Sequence, residues 1–209
     1  IAQTPYLKRD EARLLVVGKD KENFEDKKFS DVLEYMEKGD VLVLNETKVI
    51  PARLYGKKET GAFVEILLLK NLEEDIWEAM VRPGAKLKVG AKAYFFEKDL
   101  ENEDISENIL ESEILDILED GLRKVRFKYN GIFNEILDKI GTMPLPPYIT
   151  ERLEKEESYQ TVYAKNLGSA AAPTAGLHFT EELLKKAEEK GVNIAKITLH
   201  VGLRNIQTC

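Results

Sequence analysis

The run Val41-Leu42-Val43-Leu44-Asn45-Glu46-Thr47 decides the fold class. Four consecutive apolar residues with polar neighbours read as a short strand buried on both faces, the pattern of a parallel sheet. The run passes directly into Asn45-Glu46-Thr47, and ligands of open α/β sheets bind at the carboxyl ends of strands. Just upstream, Ser30 is expected to cap a short helix through Asp31, Leu33 and Met36, which Gly39 would end. A second helix–strand unit follows near the other end of the sequence. Thr180 is expected to cap a helix in which Glu181 and Glu182 stand four residues before Lys185 and Lys186, with Gly191 as its stop. The strand after it, Ile194–Val201, alternates: Ala195, Ile197, Leu199 and Val201 share one face, and Lys196, Thr198 and His200 the other. This alternation places His200 and Gly202 at a second strand end.

Between these units the character changes. Phe63–Leu69, Ile76–Arg82 and Ala91–Phe96 are β-branched or aromatic runs separated by glycine or acidic turns. Ile114–Leu118 and Val125–Tyr129 flank Glu119-Asp120-Gly121, a hairpin signal. Short strands at this spacing indicate a small antiparallel barrel. Pro144-Leu145-Pro146-Pro147 then enforces an extended connection. The expected architecture is an α/β domain interrupted by an inserted all-β domain, a small antiparallel barrel. The α/β domain would comprise residues 1–53 and 143–209, and the insertion residues 54–142.

Composition narrows the function. With 43% hydrophobic and 33% charged residues the chain reads as an ordinary globular protein. No run of eighteen apolar residues occurs, so no membrane partner is expected. The one cysteine, Cys209, cannot form an intrachain disulfide, which points to a cytoplasmic setting. Two histidines and one cysteine argue against a His/Cys metal site, and no carboxylate spacing suggests another. The net charge of -7 is unevenly spread. Residues 1–60 and 143–209 are balanced, and eleven acids face one lysine between Glu97 and Asp120. That run reads as a solvated surface and leaves the outer segments free to meet phosphate.

Several nucleotide motifs are excluded. No Gly-x-Gly occurs, and Gly56 and Gly61 have Walker spacing but are followed by Ala62 where lysine is required. The most unusual stretch is Ala170–Thr180, small residues feeding a helix N-terminus, where a backbone can approach a ligand closely. Glu181 and Glu182 there favour a carboxylate or sugar hydroxyl over a phosphate, and the same loop could equally be structural. His178 and His200 can move protons near neutral pH, or be ordinary surface or core histidines. Arg53, Lys57 and Lys58 could meet phosphate or line a solvated strand edge. Tyr148, Arg152, Tyr159 and Tyr163 could stack on bases or pack against the barrel. The residues alone lead to a two-domain α/β protein with a polar cleft and name no reaction.

The chain resembles the S-adenosylmethionine:tRNA ribosyltransferase-isomerase family. The resemblance is carried by Ile1–Pro5 with Lys8-Arg9-Asp10, Gly39–Leu54, Met143–Ile149, Tyr159–Ala164, Ala171–Thr180 and Thr198–Leu203. It covers both ends of the chain, while the β segment between them matches loosely. It implies an α/β domain with a barrel insertion and S-adenosylmethionine as ribosyl donor rather than cofactor. The acceptor would be 7-aminomethyl-7-deazaguanine at the tRNA wobble position, and the products epoxyqueuosine-tRNA, adenine and methionine. It implies His178 and His200 for proton transfers and Asn45, Thr47, Arg53, Thr174, Gly176, Thr180 and Gly202 for substrate contacts, in a monomer without metal. After Leu203 the residues depart from the family, which continues with a glycine-threonine-phenylalanine stretch and a long C-terminal part; further site groups are expected there. The competing expectation is a non-catalytic tRNA-binding module.

Overall fold

The computed structural model describes residues 3–19, 22–97, 105–145, 149 and 156–200. Contacts divide the chain into two units. One comprises residues 1–48, 146–167 and 172–200, the other residues 49–145, 168–171 and 201–209.

In the first unit, strands β1 (Arg13–Val17) and β2 (Phe24–Lys28) form an antiparallel hairpin. A 3₁₀ segment, Phe29–Tyr35, stands where a short helix was expected. Its first turn is closed by Asp31, whose carboxylate accepts from the Lys28 N–H at 2.9 Å, so Asp31 does the work assigned to Ser30. Gly39 lies beyond the segment's end with φ +97°, and its N–H donates to the Gly191 carbonyl at 2.9 Å. Strand β3 (Val41–Asn45) follows. The strand expected over Ile194–Val201 is shorter, Asn193–Ile197, and pairs with β3 in parallel, Val41 opposite Asn193 and Asn45 opposite Ile197. Parallel pairing is as expected, but burial on both faces is not. Leu44 is buried while Val41 and Val43 are 60% and 55% exposed, because the described sheet of this unit has a packed layer on one side only. That layer holds Tyr163, Phe179 and Leu183 against Leu44, with Phe29, Leu33, Met36 and Ile194 around them.

The second unit is a closed six-stranded barrel. After β4 (Thr47–Val49), it is built from β5 (Arg53–Lys57), β6 (Phe63–Glu73), β7 (Ile76–Arg82), β8 (Lys92–Phe95), β9 (Leu110–Ile117) and β10 (Arg123–Tyr129). The order around it is β10-β7-β6-β5-β8-β9, all neighbours antiparallel. The β9–β10 turn uses Asp120 and Gly121, both at positive φ, as the Asp-Gly signal requires. Along β9, Leu110, Ser112 and Ile114 point inward while Glu111 and Glu113 face out, so the described second half of the acidic run is the barrel's outer wall. Helix α1 (Phe133–Ile140) was not anticipated; it buries Ile136, Leu137 and Ile140 in the barrel core.

Later in the chain, β11 (Asn166–Ser169) pairs with β4. Helix α2 (Glu181–Glu189) returns to the first unit, and Asn193–Ile197 is β12. Glu182 pairs with Lys186 at 2.7 Å as expected, whereas Lys185 turns to Glu189 at 3.9 Å rather than back to Glu181. The Pro146-Pro147 connection, Tyr148, Arg152, Val201 and Gly202 lie outside the described residues. No helix among the described residues is long and apolar enough to cross a membrane.

Candidate functional site

Parallel pairing brings the carboxyl ends of β3 and β12 side by side, and the polar residues after each strand meet there. Glu46 continues the ladder by one bond, its N–H donating to the Ile197 carbonyl at 2.8 Å. Asn45 then reaches across with both ends of its amide. Oδ1 accepts from the Leu199 N–H at 2.9 Å and Nδ2 donates to the Leu199 carbonyl at 2.9 Å, while Oδ1 also accepts from the Thr47 N–H at 3.2 Å. The side chain thus imitates a strand residue and fixes the segment that leads to His200. Asn45 was expected to contact a ligand; its amide is engaged with main chain instead.

Thr47 completes the geometry. Its hydroxyl lies 3.1 Å from His200 Nδ1. Thr47 is only 1% exposed, while the imidazole it holds is exposed. A buried hydroxyl thus anchors one nitrogen of an exposed ring and leaves the other, Nε2, outside this bond. The bond admits either tautomer. If Nδ1–H donates to the hydroxyl, Nε2 carries a lone pair and serves as a base; if the hydroxyl donates, Nε2–H serves as a donor. Behind this pair, Asn166 Nδ2 donates to Glu46 Oε1 at 3.0 Å and to Thr198 Oγ1 at 2.8 Å. Asn166 and Glu46 were not singled out from the sequence. The only signal was their position, one beside a strand end and the other two residues past the Tyr159–Ala164 motif.

A second group lies on the small-residue loop. Thr174–His178 is a 3₁₀ turn in which Thr174 is exposed. Gly176 is buried against Tyr163: a Cβ there would fall 2.1 Å from the Tyr163 hydroxyl, so only glycine fits. Burial pushes the Tyr163 phenol above its ordinary value, which keeps it protonated. His178 packs its ring 5.3 Å from that of Phe29, and Phe29 meets Phe179 edge-on at 4.9 Å. Thr180 is the N-cap of α2, its hydroxyl accepting from the Leu183 N–H at 3.1 Å. Lys186 beside Glu182 holds that carboxyl below its usual range.

Asn45, Thr47 and His200 are therefore brought together, and Thr174, Gly176, His178 and Thr180 share one loop. Arg53 belongs to the barrel unit, where its guanidinium pairs with Glu65 at 3.0 Å. In the same unit Lys57 lies over the Phe63 ring and Lys58 donates to the Lys86 carbonyl. Tyr159 and Tyr163 are buried in the first unit, so packing rather than base stacking describes both. No group of three His, Cys, Asp or Glu side chains among the described residues is placed to hold a metal.

The chain as a whole is similar to known proteins. The profile of the family described as "Queuosine biosynthesis protein" matches residues 1–209. The chain belongs to this family. It is 56% identical over 204 residues to the S-adenosylmethionine:tRNA ribosyltransferase-isomerase of Clostridioides difficile, and 53% identical over 204 residues to that of Acetivibrio thermocellus. Each match covers 97% of this chain and 57% of the relative, so the chain spans little more than half the length of these family members. Among solved structures, the S-adenosylmethionine tRNA ribosyltransferase of Thermotoga maritima is 36% identical, with 96% of this chain and 55% of that one covered and a TM-score of 0.36.

Proposed function

We propose that this chain carries the strand-end part of an active site that transfers and isomerises the ribosyl moiety of S-adenosylmethionine onto tRNA. The observation that carries the reading is the Thr47–His200 contact, 3.1 Å, at the carboxyl ends of a parallel strand pair in a member of the queuosine biosynthesis family. The acceptor is 7-aminomethyl-7-deazaguanine at the wobble position, and the products are epoxyqueuosine-tRNA, adenine and methionine. S-adenosylmethionine is a co-substrate, and no further cofactor or metal enters. The barrel is an insertion in an α/β domain, and the protein works as a cytoplasmic monomer.

The chemistry sets the demands on the site. The sulfonium acidifies the adjacent ribose carbon, and a base removes a proton there. Adenine leaves with a proton as the sugar opens, and the acceptor amine attacks the opened sugar. The ring recloses to the epoxycyclopentane as the C–S bond breaks and methionine departs. Two proton-transfer groups and a set of hydroxyl contacts satisfy this scheme. His200, held by Thr47, and His178, on the glycine-threaded loop, supply the first. Thr174, Thr180 and Gly202 supply contacts to the sugar and the methionyl carboxylate. Asn45 acts by shaping the main chain before His200, and Arg53, on the barrel, is a separate candidate for contact with tRNA phosphate.

Adenine release from S-adenosylmethionine tests this reading, with tRNA that carries the deazaguanine amine compared against tRNA that lacks it. Release with the modified tRNA alone is the expected result, from this chain or from one extended to the relatives' full length. Silence from both, with tRNA still bound, would replace the enzyme by a tRNA-binding module.

A further inference from the structure

We propose that Arg9 is a positioning residue for His178, acting through the main chain of the turn that carries it, an assignment that rests on the reading of the site given above. Arg9 opens a short 3₁₀ turn, Arg9–Glu11, far in sequence from the loop. Its guanidinium donates to three carbonyls on two other segments. Nη1 reaches the Gln160 carbonyl at 2.6 Å and the Leu177 carbonyl at 3.2 Å, and Nη2 the Glu157 carbonyl at 3.1 Å.

The choice of acceptors is informative. Leu177 immediately precedes His178 at the end of the 3₁₀ turn, where carbonyls have no partner from the turn's own ladder. Glu157 and Gln160 stand within and just after a second such turn, Glu156–Tyr159. Short 3₁₀ turns hold themselves weakly. The Thr174–His178 turn is closed by Gly176 N–H to the Pro173 carbonyl at 2.8 Å and Phe179 N–H to the Gly176 carbonyl at 3.2 Å. A cation with donors in a fixed planar fork can tie two such turns together, and charge-assisted bonds to carbonyls are stronger than neutral ones. A lysine ammonium offers one point rather than a fork.

The same N-terminal segment also holds the imidazole itself. Ala12, which follows the Arg9 turn and is buried, accepts from the Phe29 N–H at 2.7 Å. Phe29 lies against the His178 ring. Backbone and ring of His178 are thus both set from residues 9–29, the first by Arg9 and the second by Phe29.

The chain has two histidines, so a ring ¹H–¹³C spectrum of the whole chain shows two pairs of cross-peaks, assigned with His178→Gln. Arg9→Ala is expected to move the His178 peaks and leave those of His200 in place, and Arg9→Lys to move them less. Amide exchange at Gly176 and Phe179 is expected to quicken tenfold or more in Arg9→Ala. Where Arg9→Ala does not fold, Arg9→Lys carries the same readings. Unmoved His178 peaks, or equal displacement of both histidines, would overturn the proposal. In the adenine assay Arg9→Lys is expected to lower kcat several-fold at nearly constant KM for S-adenosylmethionine. If neither this chain nor one extended to the relatives' full length releases adenine, the enzyme reading fails while the histidine spectrum still reports on Arg9.

Discussion

Thr47 is buried, and its hydroxyl bonds to His200 Nδ1. Thr47→Val keeps the shape and removes the hydroxyl. A hydrogen bond of this kind is worth about 1 kcal/mol net, so the thermal midpoint is expected to fall only slightly while kcat for adenine release drops about tenfold through loss of ring orientation. His200→Ala is expected to lose about 10²-fold or more, the usual weight of a general acid or base. Full turnover in His200→Ala would remove His200 from the proton-transfer role, and full turnover in Thr47→Val would remove Thr47 from orienting it. Gly176 makes a sharper demand. Gly176→Ala drives a methyl into the Tyr163 hydroxyl, whereas the next contacts, the Tyr163 ring carbon and the Thr161 methyl, stand at 3.2 Å. Tyr163→Phe removes the worst clash. The double variant is therefore expected to recover part of the stability that Gly176→Ala loses, measured by thermal unfolding. Additive losses would show that the loop had already moved elsewhere.

Local chemistry governs the elements that the sequence made legible. Thr180 at the start of α2 and Asp120-Gly121 between β9 and β10 behave as their residue types dictate, because a cap or a tight turn is decided within four residues. Thr180→Ala is expected to destabilise the chain by about 1 kcal/mol while Thr180→Ser is nearly neutral. An unchanged midpoint in denaturant for the alanine variant would show that the cap carries no stability. What stayed hidden was set by partners distant in sequence. The exposure of Val41 and Val43 depends on which layers cover β3, which four apolar letters cannot say. Asn45 was legible as a polar residue at a strand end, but its engagement with Leu199 was not, since that partner lies 154 residues away. The Asn45, Thr47 and His200 convergence was readable only because both strand ends could be placed. Helix α1 had a signal that went unused: Phe133, Ile136, Leu137 and Ile140 recur at helical spacing.

The two units differ in how their cores are assembled, and this has consequences for folding of the molecule. The barrel core, from Ile50 through Phe95 and Phe127 to Ile140, comes wholly from one continuous stretch. The other core joins Phe29–Leu44 to Tyr163 and Phe179–Ile194, which lie more than a hundred residues further along the chain. A closed barrel also leaves no edge strand to aggregate. An excised segment 49–145 is therefore expected to fold alone, giving a β-rich far-UV spectrum and one cooperative unfolding transition. Its weak point is the seam between β5 and β8, which pair at Lys57 and Tyr94. Gly56 sits beside it, and a Cβ there would meet the Tyr94 carbonyl at 2.5 Å and the Phe95 ring at 2.7 Å. Gly56→Ala should therefore open the seam and abolish the cooperative transition of the segment, because strand closure and the Phe95 core contact fail together. If the excised segment remained unstructured, the barrel would depend on residues outside 49–145 despite owning its core. If Gly56→Ala unfolded like the parent, the seam would not be what closes the barrel.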